Sequence, residues 1–247
     1  MPPRVLVVQH QGDAGLGRLR PHLEASAELD VRRPDRGDTL PADPAGVDGI
    51  VVLGGSPAAW EDERAPWLPR TRDLMARAVA AGTPLLGVCL GAQLLAHATG
   101  GRVERGHAGI EAGLATITPT EHAAADPFMA ELPPGPYPAP QGHTDAVTAL
   151  PPGAVLLATG TLYPHQVFRV GSAAWGVQYH PEVSAEDFTD WVREDAQTIV
   201  AAGLDPAEVV AGVLAAGPAL DALAAAHARA FLAVVTGAPA TIASKAS

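Results

Sequence analysis

Residues 84–101 read P-L-L-G-V-C-L-G-A-Q-L-L-A-H-A-T-G-G. An apolar run at 84–88 leads into Gly87-Val88-Cys89-Leu90-Gly91, an apolar-periodic segment occupies 92–98, and Gly100-Gly101 ends it. That order of signals predicts a buried strand, a sharp turn and a helix. At such a turn the central residue is held in a strained backbone conformation, and glycines on either side let helix and strand pass close together. The apex side chain is presented to a ligand, and the positive end of the following helix favours negative charge on it. Cys89 is therefore a candidate nucleophile. A lone cysteine in an apolar stretch is more often a small core residue, but a core position needs no glycine on each side.

A cysteine nucleophile needs a base, normally a histidine distant in sequence. Residues 176–183, G-V-Q-Y-H-P-E-V, supply one. The apolar residues before His180 read as a strand; Pro181 stops it and fixes the backbone, so His180 and Glu182 project from a stiff loop. A carboxylate two residues on can hold one imidazole nitrogen and leave the other free as a base.

The 247 residues suit one large α/β domain, or a domain with a small appendage. A formal charge of −11 leaves no basic face for a phosphate backbone and argues against a nucleic-acid partner. The single cysteine excludes an internal disulfide and suits a reducing compartment. The apolar run at 5–8 is too short for a signal peptide, and no long uncharged stretch suits a bilayer span. The expected setting is cytoplasmic, with no membrane partner.

Around the turn, residues 4–10 and 47–53 are continuous β-branched runs, as in strands buried on both faces of a parallel sheet. A helix at 16–27 and a strand at 28–33 are expected between them. His10 ends the first strand and reads as a satisfied polar group. The run at 47–53 enters Gly54-Gly55-Ser56-Pro57, a tight turn whose N–H groups can point outward, as an oxyanion site requires. A helix at 67–81 is closed by Gly82. Residues 133–142, P-P-G-P-Y-P-A-P-Q-G, read as an ordered loop that delivers His143-Thr144-Asp145. The spacing of His143 and Asp145 is weak evidence for a metal and no third ligand is apparent, so neither metal nor cofactor is expected. Short strands at 155–159, 165–170 and 174–179 complete the sheet. A helix at 184–202 starts at a Ser184 cap, and alanine-rich helices run from Asp205-Pro206 to Val235, interrupted at Gly217-Pro218, before a tail from Ala238.

Three stretches, L-G-G-S-P at 53–57, G-V-C-L-G-A-Q-L-L-A at 87–96 and G-V-Q-Y-H-P-E-V at 176–183, resemble the signatures of the class I (triad) glutamine amidotransferases. They stand in that family's order, and the likeness covers about residues 4–190. A-P-W-L at 65–68 is similar to the free-standing members. The resemblance implies an α/β three-layer sandwich with a central, mostly parallel, flavodoxin-like sheet, carried by residues 1–195. Residues 196–247 would be a helical extension packed on that domain or on a second copy of the chain. It further implies a Cys89-His180-Glu182 triad, an oxyanion hole from the N–H groups of Gly55 and Leu90, and substrate contacts at Gly54 and Gln93. His143 and Asp145 are similar to a His-Gly-Asp segment of some members and would border the site. The implied reaction is hydrolysis of the γ-carboxamide of glutamine through a γ-glutamyl thioester. Its ammonia would pass to a separate synthase partner, since no nucleotide-binding motif is present here. The alternative is a stand-alone enzyme acting on a γ-glutamyl amide or peptide.

Overall fold

In chain order the elements are β1 (Arg4–Val8), a 3₁₀ turn (Gly17–Leu19), α1 (Arg20–Glu24), β2 (Glu28–Arg32), β3 (Gly49–Val52), α2 (Leu68–Ala81), β4 (Leu85–Val88), α3 (Leu90–Ala98), β5 (Arg102–Arg105), β6 (Glu111–Pro119), β7 (Tyr137–His143), β8 (Asp145–Ala149), β9 (Val155–Thr159), β10 (Val167–Val170), β11 (Ala174–Val177), α4 (Ala185–Glu194), α5 (Ala196–Ala201), α6 (Pro206–Ala215) and α7 (Gly217–Thr236). The computed structural model describes residues 1–238, so the tail expected from Ala238 lies almost wholly outside them.

The apolar runs form the middle of a nine-stranded sheet ordered β2-β1-β3-β4-β11-β10-β9-β6-β7. Pairing is parallel from β2 to β11 and antiparallel from β11 to β7. Strands β5 and β8 make a separate antiparallel pair. Because successive side chains point to opposite faces, β1 sends Val5 and Val7 into one core with Leu19, Leu23 and Phe231, and Leu6 and Val8 into the other with Leu74 and Leu94. A third, smaller core joins Ile110, Val183, Phe188, Val192, Ile199, Val213 and Leu220. The architecture is the mostly parallel α/β sandwich expected.

Three local expectations change. The helix expected at 16–27 is a 3₁₀ turn and the short α1. The proline-rich stretch is not a loop from residue 137 onward but the edge strand β7. Pro138 and Pro140 are two residues apart, so their missing N–H groups fall on the same side, the side turned away from β6, where no ladder bond is lost. The helix expected at 184–202 breaks at Asp195, which ends α4 and begins α5. The Ser184 cap is present, its Oγ accepting from Asp187 N at 3.0 Å.

By length and composition α7 could cross a bilayer, yet Leu223, Ala224, Ala228 and Phe231 are buried in the core they share with β1. Its His227 is buried in a hydrogen-bond chain of fixed direction. The ring Nδ1–H donates to the Leu223 carbonyl (2.8 Å), Nε2 accepts from the Tyr179 hydroxyl (2.9 Å), and Tyr179 oxygen accepts from Tyr137 (2.8 Å). Burial lowers the His227 pKa to about 4 and does the same to His10, whose Nδ1 accepts from Trp67 Nε1.

Two predictions follow from this packing. A Cβ on Gly91 would lie 2.0 Å from the Val52 carbonyl oxygen, so Gly91→Ala should destabilise the chain by about 3 kcal/mol, read as a lower midpoint in chemical denaturation. Both buried histidines stay neutral when folded but take up a proton near pH 6.5 when unfolded, so stability should fall as pH drops from 6.5 towards 4. His227→Gln keeps an acceptor for Tyr179 and should remove about half of that slope.

Candidate active site

Strands β4 and β11 are parallel neighbours with Val88 opposite Val177. The residues that follow each strand therefore leave the sheet side by side at its carboxyl edge, and Cys89 N donates to the Val177 carbonyl at 2.8 Å. This pairing is what joins two segments so distant in sequence.

Cys89 has φ 49, ψ −106, the only positive φ among the described non-glycine residues. Its neighbours explain why that turn is tolerated. A Cβ on Gly87 would sit 2.5 Å from the Gly91 carbonyl oxygen, and one on Gly54 would lie 3.3 Å from His180 Cε1 and 3.7 Å from Cys89 Cβ. With no Cβ at Gly54, the Cys89 and His180 side chains both have room beside its backbone.

His180 Nδ1 donates to Glu182 Oε1 at 2.7 Å, and Nε2 has no hydrogen-bond partner. Burial alone would lower the His180 pKa, but the charges of Glu182 and Cys89 outweigh it, and the net shift is well upward. The arrangement favours an imidazolium facing the sulfur. The loop is braced from several sides. His180 N donates to Pro140 O on the free edge of β7 (2.9 Å), and Arg18 donates to the Glu182 and Val183 carbonyls (2.7 and 2.8 Å). The Arg18 guanidinium also pairs with Asp221 of α7. Trp191 of α4 packs its ring edge-on against His180, centroids 4.8 Å apart.

A cleft opens over Cys89 and His180, lined by Gly55 and Ser56 after β3, Gln141 and Gly142 of β7, and Phe188, Trp191 and Val192 of α4. The N–H of Leu90 is at the first position of α3 and has no intrahelical acceptor. The N–H of Gly55 donates to no described group.

The other expected residues lie behind this wall. Gln93 is buried and its Nε2 donates to Asp145 O (2.8 Å) and Gln178 Oε1 (3.3 Å). His143 has both ring nitrogens engaged, Nδ1 by Asp145 O and Nε2 by Glu111 Oε2. The Asp145 carboxylate turns to Arg105 at 2.8 Å. Among the described residues no group of three His, Cys, Asp or Glu is placed to hold a metal ion. Sequence reasoning missed Gln178, whose Nε2 points at Cys89 Sγ (3.7 Å), although it sits inside the G-V-Q-Y-H-P-E stretch. It also missed Gln141 and Trp191, for which spacing carries no signal.

The family model for class-I glutamine amidotransferases matches residues 19–196. The chain belongs to this family. Among solved structures, the chain is similar to a glutamine amidotransferase from Thermotoga maritima, with a TM-score of 0.82 and 27% identity over 94% of this chain and 99% of that one. Among characterised proteins it is 34% identical to a γ-glutamyl-L-1-hydroxyisopropylamide hydrolase of a Pseudomonas species, over 66% of this chain and 59% of the relative. A GMP synthase of Porphyromonas gingivalis is 35% identical over 58% of this chain and 26% of the synthase. In both cases the match covers less than two thirds of the relative's length.

The Glu182 charge is one of the two that hold His180 protonated. Glu182→Gln should therefore shift the alkaline limb of the kcat/KM profile to lower pH and reduce the rate at least about tenfold, measured as a pH–rate series on any hydrolysed amide.

Proposed function

We propose that this amidotransferase hydrolyses a γ-glutamyl amide through a covalent Cys89 intermediate. The Cys89 sulfur attacks the side-chain carbonyl carbon and forms the C–S bond. Two N–H groups, those of Gly55 and Leu90, hold the oxyanion, each contributing about 3 kcal/mol to lowering the barrier. The C–N bond then breaks, and His180, oriented by Glu182, passes its proton to the departing amine. The same imidazole next takes a proton from water, whose oxygen attacks the thioester and releases glutamate and the thiolate.

The observation that carries this reading is the meeting of Cys89, His180 and Gly54 at a strained turn open to a cleft. The cleft continues past the reacting atoms along α4 to Ile199 of α5, room that glutamine's own NH₂ does not need and a substituted amide nitrogen would use. The likeness to a γ-glutamyl amide hydrolase supports the same choice.

The second reading is a glutaminase subunit whose ammonia goes to a separate synthase. It is favoured by the likeness to GMP synthases. Amine or ammonia release from glutamine and from γ-glutamyl alkylamides, with and without a co-expressed synthase, separates the two.

In either case Cys89→Ala should lower turnover by roughly 10⁴-fold or more. It should also abolish labelling by a glutamine-mimicking diazoketone, which mass spectrometry would otherwise place on Cys89. Full labelling of the variant would remove the thiol from the mechanism.

A further inference from the structure

Resting on the hydrolase reading above, we propose that the cleft selects its amide by charge: it takes γ-glutamyl groups on apolar alkylamines and rejects those whose amine side ends in a carboxylate. Simple γ-glutamyl peptides are then poor substrates.

On this proposal the amine side of the substrate lies along the part of the cleft that the third core builds. Ile110, Phe188, Val192 and Ile199 all belong to that core and all line the cleft, a wall that gains from burying alkyl carbon. At its end, where the helix breaks, Glu194 and Asp195 also line the cleft. Neither carboxylate has an ion pair or a side-chain hydrogen bond among the described residues. Both side chains are exposed to solvent, and partial burial holds the Asp195 carboxyl above its usual range with no cation to offset it.

A second observation gives the same sign. Gln141 is fully buried on the cleft wall and its Oε1 has no partner. Its orientation is fixed from a distance. Gln166 Nε2 donates to the Glu111 carboxylate (3.1 Å) and the Tyr163 carbonyl (3.2 Å), which can only accept, so Gln166 Oε1 is the atom that receives Gln141 Nε2 at 2.9 Å. The oxygen of Gln141 is thus the end left unmet, buried within the cleft wall, where it adds partial negative charge and no donor.

No lysine or arginine lines the cleft. Arg64 reaches Ser56 Oγ at 3.4 Å, but it is paired with Glu61 and belongs to the segment after β3 rather than to the helical wall. The unmet donor on the wall, Trp191 Nε1, is neutral. A carboxylate brought to this end, away from the His180 imidazolium, would find no lysine or arginine and meet two like charges.

The test compares two substrates with the same four-carbon amine side, γ-glutamyl-n-butylamide and γ-glutamyl-4-aminobutanoate, with Cys89→Ala as the blank. The expected result is a kcat/KM at least about tenfold higher for the butylamide. In the Glu194→Gln/Asp195→Asn variant the ratio should narrow, because the carboxylate-bearing compound improves. Equal or faster turnover of the carboxylate compound by the native chain overturns the proposal while leaving the hydrolase reading intact, as does a ratio that the double variant leaves unchanged. Absence of Cys89-dependent turnover of either compound and of glutamine overturns both.

Discussion

The site depends on one backbone constraint: a residue that bears a side chain is held at φ 49 between a strand and a helix. Such a conformation costs about 1–3 kcal/mol and persists only where the surroundings dictate it. Here the surroundings are two close approaches. Gly87 lies against the first turn of α3, and Gly91 lies against the Val52 carbonyl of β3. Helix α3 is thereby pressed onto the sheet so closely that the chain between β4 and α3 has no relaxed path, and Cys89 takes up the difference. The strained turn sets Cys89 at the carboxyl edge of the sheet, beside the segment that carries His180.

Electrostatics around the sulfur are set by amide groups with fixed direction together with the His180 imidazolium. The Asp145 carbonyl can only accept, so Gln93 must offer its nitrogen there; that same nitrogen meets Gln178 Oε1, and Gln178 is left to point Nε2 at Cys89 Sγ. A neutral donor aimed at sulfur costs no buried charge when the thiol is protonated and helps when it is not. His180 supplies the one cation, and its charge is held by Glu182 in a loop too short to let the two separate.

The sequence was most legible where function imposes local spacing. Cys89 with its two glycines, and His180 with Pro181 and Glu182, each make sense within eight residues, and the parallel register of β4 and β11 does the rest. What stayed hidden was non-local. Proline at 138 and 140 reads as a loop unless it is known that this strand is an edge and that both missing N–H groups face outward. Gln141 and Trp191 gain meaning only from what packs beside them. Gln93 shows the converse: helical spacing put it on the right face, but a carbonyl from another strand claimed its nitrogen. For the alanine-rich C-terminal helices the sequence leaves open packing on the main domain or on a second copy, and only the structure shows that Phe231 and Leu223 share a core with β1.

Chemistry and selectivity rest on different parts of the molecule. The sulfur, its free N–H groups and the histidine strand are held by the two large cores that cover the sheet. The helical wall of the cleft comes from the third core, where β6 meets α4, α5 and α6. Substitutions in that helical wall can alter shape and charge without touching the register of β4 against β11. The two regions still meet at one place. Val183 follows Glu182 directly and is itself part of the third core, while Arg18 binds its carbonyl and reaches across to Asp221. A repacking of the wall that moved Val183 would pull on the loop carrying His180, so selectivity can drift freely only at positions further along α4 and α5, where Val192, Asp195 and Ile199 stand.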